Sequence, residues 1–134
     1  MPGQTHPSAG QLALEELLTP RASKWNLTVV LYLRNETKRF SVLHREIGGI
    51  SQKALTTSLR SLERDGFISR TSYATIPPRV EYALTPLGFE ALKVFEALEN
   101  FALQHWQHVN TAREAFDAQM ATPEAVAASA RLSR

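Results

Sequence analysis

No cysteine occurs among the 134 residues. Disulfides, thiolate metal sites, a cysteine nucleophile and thiol-based sensing are therefore outside the chemistry of these residues. The absence fits a cytoplasmic protein, which is the expected location. No apolar run is long enough to span a bilayer, and no membrane partner is expected. The opening Met1-Pro2-Gly3-Gln4-Thr5-His6 has no basic stretch followed by an apolar one, so no secretory signal is expected there. There is no Gly-rich phosphate loop, and the Ser, His and Asp residues carry no nucleophile motif. An enzyme is not expected, and neither is a cofactor. Net charge is also scarce, at +2.

The charge is unevenly spread. Residues 24–81 hold ten Lys/Arg against five Asp/Glu, a balance of +5. The remainder holds five against eight, a balance of −3. A basic middle with acidic flanks suits a DNA-binding core beside an acidic assembly surface; solvated surface charge is the plain alternative. With 43% hydrophobic residues the chain can bury one core.

The spacing of apolar residues sets out the elements. Residues 1–10, rich in Pro, Gly, Ser and Thr, are expected to lack order. A helix over 11–18 is expected to stop at Thr19-Pro20. Ser23 is a candidate N-cap for a helix buried nearly all round, closed by Asn35-Glu36-Thr37. Arg39-Phe40 reads as extended, and Ser41 as the cap of a short helix whose Leu43 and Ile47 face the core. Gly48-Gly49 makes a sharp turn. Ser51 caps the next helix, where Leu55, Leu59 and Leu62 recur at helical steps until Gly66. Residues 67–74 and 80–84 read as a hairpin, with Val80, Tyr82 and Leu84 alternating and Pro77-Pro78 stiffening the connection. Thr85 and Pro86 start a last helix, expected to run to about residue 109. A short helix is expected over 111–120 and a weakly ordered tail from Ala121. This divides the chain into a tail (1–10), a main domain (11–109) and a terminal piece (110–134).

An amphipathic helix with a polar, basic outer face, followed by a hairpin with Arg at its tip, is the arrangement with which a winged helix-turn-helix grips DNA. The expected fold class is α+β and mostly helical, with a long C-terminal helix used for dimerisation. Opposite the leucines stand Lys53, Thr57, Arg60 and Arg64, with Gln52 and Thr56 flanking. Gln can bond adenine bidentately, Lys can reach guanine O6/N7, and Thr offers a hydroxyl and a methyl. Amide groups at the Ser51 cap favour a phosphate. Arg79 is the wing candidate, its alternative being an ion pair with Glu81 or with a partner on the first strand. Arg39 is a weaker phosphate candidate. A metal site is not expected: His105 and His108 sit three apart without an accompanying carboxylate set.

The strings Lys24-Trp25, Arg39-Phe40-Ser41-x-Leu43, Gly49-Ile50-Ser51-Gln52-Lys53, Leu59-Arg60-x-Leu62-Glu63-x-Asp65-Gly66 and Pro77-Pro78-Arg79-Val80-Glu81-Tyr82 resemble the HxlR family of winged-helix transcriptional regulators. The resemblance spans roughly 12–106. It implies a homodimer joined by terminal helices, each subunit binding half of a near-palindromic operator. The contact is then expected at Leu14, Leu17, Phe95, Leu98, Phe101, Ala102 and Trp106. Three features depart from the family: a cysteine common near Leu12 is missing, Ala22-Ser23 replaces a Gly pair, and Thr57 stands where Gln is frequent. Expected partners are duplex operator DNA, a second copy, and an unidentified small-molecule effector by fold-level analogy. The competing readings are a MarR-like ligand-responsive regulator and a winged module that binds protein instead of DNA.

Overall fold

In the computed structural model the described residues are 6–17, 23–121 and 123–132. Their elements run α1 (Ala9–Leu17), α2 (Ser23–Tyr32), β1 (Lys38–Arg39), α3 (Phe40–Ile47), α4 (Gln52–Arg64), β2 (Ile68–Tyr73), β3 (Arg79–Leu84), α5 (Pro86–Met120) and α6 (Pro123–Leu132). The three strands form one antiparallel sheet in the order β1-β3-β2. This is the mostly helical winged fold that the sequence predicts. The chain divides into two units, Met1–Phe95 and Glu96–Arg134.

The first unit owns the core. Val29, Val30 and Leu33 of the α2 region meet Leu43 of α3, Leu55, Leu59 and Leu62 of α4, Ile68 and Leu84 of the sheet, and Leu92 of α5. Burying each such side chain fully favours folding by roughly 1.5–3 kcal/mol. Ile47 packs against this cluster, as its position in α3 requires.

Local chemistry sets the boundaries. Ser51 is extended (φ −73°, ψ 155°) and its Oγ accepts the Ala54 N–H at 3.0 Å, so α4 starts where the cap predicts. At its other end, Gly66 has φ +83°, Phe67 N–H donates to Leu62 O at 2.9 Å, and Gly66 N–H donates to Glu63 O at 3.1 Å. That pair of bonds is a Schellman stop, which satisfies two carbonyls the helix leaves open. Thr85 caps α5 through the Gly88 N–H at 3.0 Å, and its hydroxyl donates to Gly66 O at 2.6 Å.

Several boundaries differ from expectation. Ser41 is not a cap. The β1–β3 pairing of Arg39 with Glu81 holds Arg39 extended, so α3 begins at Phe40 with Arg39 as an N-cap lacking a side-chain bond. α1 starts at Ala9, inside the stretch expected to lack order. Gln11 N–H donates to Ser8 Oγ at 3.1 Å and Ser8 N–H donates to Gln11 Oε1 at 2.7 Å, a reciprocal capping box. α5 does not end near 109 but runs 35 residues to Met120. No Gly or Pro lies between Gly88 and Pro123 to break it. The tail beyond Ala121 contains α6, which Pro123 opens at its first position and Glu124 supports in the first turn. Ser23 is the first residue of α2 rather than the residue before it. Leu18 and the stop at Thr19-Pro20 lie outside the described residues, as do 1–5.

Gly88 is a packing requirement. A Cβ there would stand 2.0 Å from Phe67 O, a backbone atom. Gly88→Ala should therefore force α5 away from the start of β2 and cost about 1–3 kcal/mol, the usual range for overpacking; urea unfolding of the variant beside the parent measures it.

Candidate nucleic-acid interface

α4 is positioned by one closed face. Leu55, Ser58, Leu59 and Leu62 are buried to 0, 0, 2 and 1% exposure. Ser58 is the polar member of that set, and α2 satisfies it. Its Oγ donates to Asn26 Oδ1 at 2.6 Å, and Asn26 Nδ2 donates to Ser61 Oγ at 3.2 Å. A buried hydroxyl without a partner would cost about 1–3 kcal/mol, so the pair fixes how α4 is turned against α2. Sequence spacing does not show this pair, because Asn26 and Ser58 lie 32 positions apart.

With that face closed, the rest of α4 looks outward. Ser51, Gln52, Lys53, Thr57 and Arg60 are exposed, and Thr56 is half-buried. Ser51 spends its oxygen on the cap. Thr57 donates its hydroxyl to Lys53 O at 2.9 Å, inside its own helix. Gly48 and Gly49, both at φ +64°, make the turn that brings α3 and α4 together.

The wing differs in detail from its sequence reading. Arg79 is not at the tip; it is the first residue of β3, opposite Tyr73. Its guanidinium lies 4.3 Å from the Tyr73 ring centroid, and its Nε lies 3.2 Å from Glu81 Oε1. The Nε–H is buried and makes no directed hydrogen bond, so charge and stacking hold this group rather than a well-aligned bond. The ion-pair alternative is thus realised in the free protein. The tip itself, residues 74–78, is uncharged, and Ile76 on it is fully exposed. Thr75 braces the tip by donating to Pro77 O at 2.9 Å.

Arg39 is exposed on β1, paired in register with Glu81. It shares that sheet face with Arg79, two residues from Glu81 along β3. Lys38 is on the other face and is committed to Glu46 at 2.6 Å.

The residues expected at a dimer contact divide. Phe95 packs against the core of the first unit. Leu14 and Leu17 are exposed on α1, none of whose residues is buried. In the second unit Leu98, Phe101, Ala102 and Trp106 are exposed along α5. The His105 ring is tilted against that of Phe101, with centroids 4.9 Å apart, and lies 6.3 Å from that of His108. Among the described residues no three His, Asp or Glu gather into a metal-ligand set, and no helix is long and apolar enough to cross a membrane.

A three-helix core, a capped outward helix and a two-stranded hairpin behind it define a winged helix-turn-helix. The family profile of HxlR-like helix-turn-helix proteins matches residues 22–110, and the chain belongs to that family. It is 44% identical to the HTH-type transcriptional regulator YtfH of Escherichia coli K12 over 93 residues, 69% of this chain and 74% of that one. The solved structure of the transcriptional regulator ytfH from Salmonella typhimurium is similar with a TM-score of 0.65 at 38% identity, covering 79% of this chain and 91% of the other. Reduced HypR, described as a redox regulator, aligns with a TM-score of 0.68 at 28% identity over 74% of this chain and 98% of its own. The chain is thus a transcriptional regulator of the helix-turn-helix type.

Ser58→Ala removes the donor to Asn26 while leaving the leucines in place. Unfolding free energy should fall by about 1–3 kcal/mol, readable by chemical denaturation, with α-helical circular dichroism retained.

Proposed function

We propose that the chain is a homodimeric, sequence-specific DNA-binding regulator that occupies a near-palindromic operator through α4 and the β2–β3 wing. The complete closure of one α4 face supports this most directly, because it leaves Gln52, Lys53, Thr57 and Arg60 nowhere to go but outward. In this reading α4 enters the major groove. Gln52 and Lys53, in its first turn, meet base edges. Thr57, its hydroxyl already used, offers its methyl to thymine. Thr56, Arg60, Arg39 and the amides beyond Ser51 serve the phosphates. Arg79 adds to the wing with a charge already balanced by Glu81.

Dimerisation is proposed from exposed apolar side chains. Leu14 and Leu17 on α1, and Leu98, Phe101 and Trp106 on α5, are each at least half exposed. Large apolar groups left open to water in such number mark an association surface. A second copy of the chain is the occupant proposed, within a working domain of residues 11–109. The signal is proposed to be something other than a thiol switch. HypR is described as a redox regulator, whereas these 134 residues contain no cysteine. An unidentified small molecule is the effector in this reading, and the cytoplasm the location.

Sedimentation should give twice the 15.0 kDa chain mass. Selection from a randomised duplex pool should yield half-sites with centres about 10 bp, or a multiple, apart. Lys53→Ala should then weaken binding to the selected duplex by roughly 1–3 kcal/mol and relax preference at one base pair. A dimer with no salt-sensitive duplex binding would instead identify a protein-binding winged module.

A further inference from the structure

We infer that Arg60 of α4 and Arg70 of β2 clasp one DNA phosphate between them, and that this clasp, not Arg79, is the wing's ionic contact. The inference rests on the reading that α4 lies in the major groove.

The register supplies the geometry. Arg70 pairs with Tyr82, two positions along from the buried pair Ile68 and Leu84. Side chains two apart on a strand share a face, so Arg70 and Tyr82 stand on the face that turns toward the core and α4. There they meet α4 across an open cleft of about 430 Å³, lined by Thr56, Leu59, Arg60, Glu63, Arg70 and Tyr82. Its floor is Leu59, which is buried, while Arg60, Glu63 and Arg70 are exposed.

The charges in the cleft are open. Neither Arg60 nor Arg70 has a hydrogen-bond or ion-pair partner among the described residues. Two guanidinium groups against the Glu63 carboxylate leave a balance of +1. Lys38 and Arg79 contrast with them, since each already has a carboxylate. A cation without a counterion can neutralise a phosphate without first breaking a pair. Thr56 and Tyr82 add hydroxyl donors.

DNA shape then places a phosphate at this cleft. A helix in the major groove and a wing reaching the neighbouring minor groove lie on either side of one sugar–phosphate strand. That strand must cross the gap between helix and hairpin. The gap is the cleft that holds both open arginines.

The test is binding of the full chain to a random-sequence 30-bp duplex by fluorescence anisotropy, from about 50 to 200 mM NaCl, where each phosphate contact adds about 0.9 to the log–log salt slope. Arg60→Ala and Arg70→Ala should each flatten the slope. The double variant should lose about 0.9 in total, so that its affinity falls about 3.5-fold less than the parent's across that range. Arg70→Lys should keep most of the slope, and Arg79→Ala should change it less than Arg70→Ala. Circular dichroism confirms that each variant folds. A parental slope in Arg70→Ala, or a loss near 1.8 in the double variant, overturns the shared clasp while leaving DNA binding intact. If the parent itself shows no salt-sensitive duplex binding, the failure belongs to the proposed function, and the clasp falls with it.

Discussion

One rotation angle governs this molecule. Leu55, Ser58, Leu59 and Leu62 occupy a single stripe of α4 and are almost completely closed off from water. A helix advances one turn in 3.6 residues, so burying that stripe leaves little freedom to roll. Leucines alone would tolerate some roll, because apolar contact is not directional. The Ser58–Asn26 bond is directional, and at 2.6 Å it selects one setting. Every outward residue of α4 inherits its aim from that choice.

A second constraint ties α4 to the hairpin and to α5. Gly66 and Phe67 end α4, and their carbonyls are then used by Thr85: its hydroxyl donates to Gly66 O and its N–H to Phe67 O at 3.1 Å. Phe67 O also faces the α-carbon of Gly88 so closely that no side chain fits. Three backbone segments thus meet at one point: the end of α4, the entry to the hairpin and the start of α5. The hairpin leaves and returns through this junction, so its base is fixed relative to α4. Only the tip is left to its own turn chemistry, braced by Thr75.

These parts are not equally legible in the sequence. The leucine stripe, the Ser51 cap, the Gly66 stop and the Thr85-Pro86 start are local patterns whose physics acts within one or two turns. They read correctly for that reason. The Ser8–Gln11 capping box is equally local, but the Pro, Gly, Ser and Thr around it outweigh the signal. Ser41 fits a cap pattern; strand pairing by Arg39, a contact between β1 and β3 far apart in sequence, moves the helix start. The apolar periodicity of α5 fades near residue 109, yet the helix continues to Met120. Periodicity marks a buried face, whereas helix continuity needs only the absence of breakers. The Asn26–Ser58 bond is invisible in the sequence because an interior hydrogen bond leaves no trace in residue spacing.

Arginine shows most clearly what residue type alone cannot tell. Arg79 beside two prolines looks like an exposed wing cation, yet Tyr73 covers it and Glu81 balances it. Arg70 sits in an ordinary Ser-Arg-Thr run, yet it is exposed and unpaired at a cleft beside Arg60. Charge counting gives the two residues equal weight. Their free energies of meeting a phosphate are not equal, because one cation must share its field with a carboxylate at 3.2 Å and the other need not. The balance of +5 over residues 24–81 therefore overstates some positions and understates others. The cations available to an external anion are those that folding has left without an internal one, and in this hairpin Arg70, near the base of β2, is such a cation, whereas Arg79, at the tip end of β3, is not.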